Sequence, residues 1–159
     1  AYGIAQVCRR VPAALDGTAA GPLVARLRAV LCASRAAGEE GRALYENCLS
    51  ALGALVLFEG APFGHLPEAG DRPALLATFV RSLPLHEDEA EAQVCHDAFC
   101  AMVDAGAIDP SACADEIVRL AGDALASEAD GEELLTPAGR AGFVRMLRAL
   151  VGGAGGAAA

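Results

Sequence analysis

From Arg42 to Phe58 the residues Tyr45, Cys48, Leu49, Leu52, Leu55 and Val56 recur three and four apart, the spacing of one face of a helix. Leu57 and Phe58 fall off that stripe, which predicts a helix packed on two sides. The same periodicity accounts for most of the chain. A first helix spans roughly Tyr2 to Arg9 and opens without a cap, as a severed helix would. Pro22 starts a second, with Leu23, Leu27, Val30 and Leu31 on one face. After the third helix, "EGAPFGHLPEAGDRP" is a loop dense in Gly and Pro. A fourth helix follows Asp71 and ends at Leu83, since Pro84 disfavours helix in the residue before it. A fifth runs from Asp88 to Val103. The sixth and seventh follow Asp109–Pro110 and Thr136–Pro137, each an N-cap with a first-turn proline. Strand alternation appears nowhere. Residues 152–159, "GGAGGAAA", read as a flexible tail.

This pattern predicts an all-α fold, which the abundance of Ala favours and the scarcity of aromatic and β-branched residues supports. Helix pairs start near Gly21, Asp71 and Asp109, close to the period of about 40–47 residues of HEAT arrays. The expected architecture is an α-solenoid of antiparallel helix pairs over residues 1–151. It would hold about three to four repeats with the first truncated. A four-helix-type bundle is the structural alternative. The chain opens on Ala1 inside an uncapped helix, and is expected to be a piece of a longer protein.

Charge narrows the partners. The net charge of −9 makes direct nucleic-acid binding a poor expectation and basic protein partners a reasonable one, with plain solubility as the bland alternative. The longest uncharged apolar stretch, Asn47 to Phe58, is shorter than the about 20 residues of a membrane span, so no membrane role is expected. No signal-peptide pattern opens the chain. Cys8, Cys32, Cys48, Cys95, Cys100 and Cys113 sit within apolar helical patterns. They are expected to be small buried thiols of a reducing compartment rather than a disulfide framework.

The stretch "LPLHEDEAEAQVCHDAFCAMV" is the best place to look for chemistry. With Cys95 at zero on a helical wheel, Ala92, Ala98, Phe99 and Met102 fall within about 60° of it, and Cys100 about 140° away. Two thiolates so placed do not share a metal; only His96 and Cys100, four apart, share a face, and no other ligand pair has zinc-finger spacing. His96, next to Cys95 in sequence, points about 100° away from it. No phosphate loop or nucleophile elbow occurs. The expectation is a protein with no enzymatic role, no metal and no cofactor. Asp88 and Glu91 have capping-box spacing. Glu87 and Glu89 are not needed for the cap and remain to meet a cation.

Three stretches, in order, resemble the importin-β (karyopherin-β) family of nuclear import receptors, in its karyopherin-β3 branch. "AYGIAQV" looks like an inner helix of a late HEAT repeat there. "YENCLSALGALVLFE" is similar to that branch's "T-E-N-C-I-S-A-V-G-K-I-x-x-F", and "LPLHEDEAEA" to its "L-P-L-H-E-D-K-E-E-A". The resemblance covers most of residues 1 to 126. It implies a receptor that shuttles between cytoplasm and nucleus, touches nuclear pore proteins, carries basic, Lys/Arg-rich cargo, and releases it to Ran-GTP bound by N-terminal repeats outside this chain. By that resemblance this piece would contribute cargo contacts from its inner helices. The candidates are Tyr2, Glu46, Asn47, Glu87 and Glu89, acids beside a Tyr and an Asn that can hold a Lys ammonium or Arg fork. Asn47 alternatively makes an inter-repeat hydrogen bond, and Tyr2 alternatively packs. A HEAT scaffold or adaptor outside nuclear transport is the competing function.

Overall fold

A computed structural model describes residues 3–4, 6–7, 17–58, 61 and 70–154. Among them the fold is all-α, with no strand. Residues 3–4 and 6–7 are helical. Six α-helices follow. They are α1 Gly17–Ala36, α2 Arg42–Leu52, α3 Arg72–Ser82, α4 Glu89–Asp104, α5 Ala114–Ala129 and α6 Pro137–Ala154. The chain divides into two compact units, Ala1–Phe79 and Val80–Ala159.

In the first unit α1 packs along α2. The turn between them includes the 3-10 segment Gly38–Gly41. Gly41 makes the close approach possible: a Cβ there would lie 2.2 Å from the Ser34 carbonyl oxygen. The buried face of α1 is Ala20, Val24, Leu27, Leu31 and Ser34. α1 begins at Gly17 and carries Pro22 inside it instead of starting there. Of the expected face, Leu27 and Leu31 are buried and Leu23 and Val30 half-buried. α2 is exposed in its first turn and then sinks into the unit, with every residue from Cys48 to Leu57 buried. It ends in a π turn, Gly53–Leu57. There the Phe58 amide donates to the Gly53 carbonyl at 2.9 Å. A Cβ on Gly53 would sit 2.4 Å from the Phe58 ring, so glycine leaves room for that ring to meet Phe79 edge-on at 5.4 Å. The wider turn also frees carbonyls for an outside donor. Arg72 of α3 supplies it, reaching Val56 O at 3.1 Å and Leu57 O at 3.0 Å.

In the second unit α6 packs against both α4 and α5. The starts expected from the sequence are built by side-chain caps. Asp88 accepts from the Glu91 amide at 3.1 Å. Asp109 accepts from the amide and hydroxyl of Ser111 at 2.9 and 2.7 Å, bonds that hold its carboxyl below the usual range, and a 3-10 turn, Pro110–Cys113, leads into α5. Thr136 accepts from the Gly139 amide at 2.9 Å at the start of α6. That helix continues to Ala154, three residues into the stretch expected as a tail. Phe99 of α4 is fully buried and stacks on Phe143 of α6, centroids 5.9 Å apart. Gly142 lets α6 come down on Cys100, whose sulfur lies 2.7 Å from where a Cβ would stand.

Candidate functional site

Charge is divided unequally. Residues 1–79 carry 7 Arg and 7 acids and are neutral; residues 80–159 carry 5 Arg and 14 acids and hold the entire −9. The flagged stretch from Leu83 to Val103 lies in the acidic unit, and its polar residues have partners that local spacing did not reveal.

The chain between α5 and α6 crosses α4 in an extended form. Along one face of α4, Glu89, Gln93, His96 and Asp97 take hold of it, and Cys100 meets the first turn of α6 just beyond. Glu89 Oε1 accepts from the Glu133 amide at 3.3 Å. Gln93 Nε2 donates to the Glu133 carbonyl at 2.6 Å. His96 Nδ1 lies 2.7 Å from the Leu134 carbonyl. Asp97 accepts from the Thr136 hydroxyl at 2.8 Å, and the Cys100 thiol points to the Gly139 carbonyl at 3.8 Å. Spacings of three and four place all five on one helical face. Extended backbone has no internal partners, so buried groups in it must find others; this row of side chains supplies them. Leu134 and Leu135 are thereby buried.

His96 is the centre of this strap. It is fully buried, though it points about 100° from Cys95 and the core stripe. The reason is non-local, since the covering segment lies 38 residues away in sequence. A carbonyl only accepts, so Nδ1 carries the proton and Nε2 is bare. Nε2 is buried with no hydrogen-bond partner. Burial holds the imidazole below its ordinary value, against the Leu134 bond and the nearby Asp97, which favour the charged form. The Cys100 thiol, buried and near Asp97 and Asp104, is pushed up to about 12, and so stays protonated.

The strap also draws acids together. His86 Nδ1 lies 3.6 Å from Glu132, and Glu89 meets Glu133. Glu87 and Glu89, both exposed, thus stand at an edge to which Glu132 and Glu133 also belong. Those last two were missed because they are some 40 residues further on. Only the partly apolar "LL" after them hinted at a buried segment.

No family model, curated protein or solved structure matches the chain.

The remaining candidates lie elsewhere. Tyr2 lies outside the described residues. Glu46, expected off the core stripe, is buried, with the Arg42 guanidinium 3.5 Å from it one turn back. The solvent side of this part of α2 is Arg42, Ala43 and Leu44 instead. Asn47 donates to the Ala43 carbonyl of its own helix at 2.8 Å, not to another repeat. Glu46 and Asn47 belong to the first unit, whereas Glu87 and Glu89 belong to the second. Asp88 is the N-cap of α4, and Glu91 is buried in its first turn. Among the described residues no three His, Cys, Asp or Glu side chains are grouped to hold a metal. Cys48, Cys95 and Cys100 are buried free thiols, but Cys32 is exposed, against the expectation for it.

Proposed function

We propose that this chain is part of a nuclear import receptor of the importin-β type, with its helix pairs stacked as HEAT repeats and its acidic second unit turned to basic protein cargo. The observation that carries the reading is the ordered set of three importin-like stretches, ending in "LPLHEDEAEA". Helix pairing supports it. α1 packs on its neighbour α2, and α5 on its neighbour α6. In a HEAT array equivalent helices of successive pairs stack, and the packing of α6 on α4 is compatible with that arrangement. The Arg119 guanidinium of α5 also donates to the Arg81 carbonyl at 3.3 Å. Ran-GTP and pore contacts would belong to repeats outside these residues, and the protein would shuttle between cytoplasm and nucleus.

The concentration of charge gives the cargo its sign. An edge bearing Glu87, Glu89, Glu132 and Glu133 attracts Lys and Arg. A carboxylate that accepts one hydrogen bond retains further acceptor sites, so the Glu89 contact to Glu133 leaves it able to meet a cation. One observation favours the competing scaffold function: Glu46 is enclosed and Glu89 helps hold the strap, so part of the expected cargo chemistry already serves the fold. The test is a titration of the chain with a Lys/Arg-rich localisation peptide, at low and at high salt, beside a Glu-rich peptide of equal length. The basic peptide alone is expected to bind, with affinity that falls several-fold as salt shortens the screening length to below about 8 Å. Failure of the basic peptide to bind, or equal binding of both, removes the import reading and leaves the scaffold.

A further inference from the structure

Among the described residues, the large apolar side chains that the second unit leaves exposed all lie on α5 and α6. They are Val118 and Leu125 on α5, 57% and 49% exposed, and Val144 and Val151 on α6, 39% and 76% exposed. Each pair is two turns apart, about 10.5 Å along its helix. At 100° per residue, Asp115, Val118, Gly122 and Leu125 share an arc of about 80° on α5. Ala141, Val144, Arg148 and Val151 share an arc of the same width, about 80°, on α6. Every position of both arcs is exposed, while the buried Leu120 and Ala124 of α5 and Phe143 and Met146 of α6 lie on the far sides. The two stripes thus repeat one spacing. They differ most at one place, where α6 has the long Arg148 and α5 has Gly122.

Two further observations say what fits these stripes. Gly122 stands in the middle of α5, where glycine weakens a helix. The fold of the single chain does not require it, since a Cβ there would meet no atom within 4 Å. It leaves an open notch between Val118 and Leu125. Charge is the second. α5 carries four acids and one Arg, and α6 carries three Arg and no acid. Arg140 and Arg145 are already given to Glu128 and Asp104. Arg148 has no ion-pair partner among the described residues, and neither has Asp115.

We infer that the α6 stripe of one copy of this chain docks on the α5 stripe of a second copy. Val144 and Val151 meet Val118 and Leu125, and Arg148 crosses the notch at Gly122. With the stripes run in either direction, pairing the apolar residues brings Arg148 beside Gly122, because the spacings match. The apolar stem of an arginine suits such a seat while its head stays with water and acids. Opposite net charge selects α5 of the second copy over its α6, which would bring like charges together. The surface uses other helices than the acidic edge and does not rest on the import reading.

Sedimentation equilibrium of the whole chain, from low micromolar to near-millimolar concentration, tests it. The weight-average mass should rise with concentration. Gly122→Gln fills the notch and at the same time replaces a poor helix former with a good one. It should weaken association by about tenfold or more, as loss of a central contact does, while the melting temperature of the dilute chain holds or rises. Arg148→Glu should weaken association by a similar factor. Arg35→Glu makes the same change of charge at an exposed site in the first unit and should change little. A chain that stays monomeric throughout overturns the inference, and so does association that survives either Gly122→Gln or Arg148→Glu. Equal weakening by Arg35→Glu would overturn it too, since only net charge would then be at work. A monomer that binds an acidic amphipathic peptide of unrelated sequence would assign the α6 stripe to a different partner and overturn it equally.

Discussion

Phe99→Ala is expected to lower the stability of the chain by about 3–5 kcal/mol, the usual cost of emptying a buried aromatic site. The magnitude follows from position. Phe99 is fully buried, and it is stacked on Phe143 at an interplanar angle of 20°. Phe143 in turn meets the His96 ring edge-on, with centroids 6.4 Å apart. Loss of the Phe99 ring therefore removes one side of the packing that fixes α6 on α4 and exposes the flank of the strap. Phe99→Leu, which keeps most of the volume, should cost less. Denaturant melts of the two variants check this. A loss below about 1 kcal/mol for the alanine variant would fall outside the range for a buried aromatic and would mean that the α4–α6 seam is not the core of the second unit.

Acidification should weaken the chain through His96. The sign follows from its lowered folded-state value. The unfolded chain takes up this proton near pH 6.5, the folded chain only at lower pH. Between the two the unfolded state binds more protons, so stability falls as pH falls. The contribution is complete above about pH 6.5 and declines below it, by at most about 1.4 kcal/mol per pH unit for one group. It stops declining once pH passes the folded value. The structural reason is Nε2, which has no acceptor for a second proton. His96→Ala should itself be costly. It strips the Leu134 carbonyl of its donor, a loss of about 1–3 kcal/mol, and opens a cavity as well. Stability measured from pH 8 to pH 5 in the parent and in His96→Gln separates the effects. The parent should lose stability through this range, and the variant should lack the part due to His96. An identical pH dependence in both would mean that His96 does not sense the proton.

The helices were legible because their signals are local. Asp88, Asp109 and Thr136 each announce a start within three residues of the groups they cap, and the α2 stripe runs through buried positions from Cys48 onward. What escaped was set at long range or by geometry. A helical wheel has no knowledge of a segment that arrives from 38 residues away to cover His96. For the same reason it could not say that Gln93 meets the Glu133 carbonyl and Asp97 the Thr136 hydroxyl rather than water. Glu46 was misplaced because the stripe could not show which flank of α2 is covered: apolar Leu44 is exposed there and Glu46 is buried. The start of α1 was misplaced because proline reads as a first-turn residue, whereas α1 admits Pro22 in its second turn.

The acidic edge is the central functional claim, and paired charge reversals test it most directly. Glu87→Arg with Glu89→Arg changes the same total charge as Asp115→Arg with Glu116→Arg in the first turn of α5. Affinity for a Lys/Arg-rich peptide would be measured by titration calorimetry for both double variants, after far-UV spectra confirm unchanged helicity. A site at the edge predicts a large loss for the first pair and a small one for the second, with the difference shrinking at high salt. Equal losses in the two variants would contradict it, since the peptide would then be answering only to net charge.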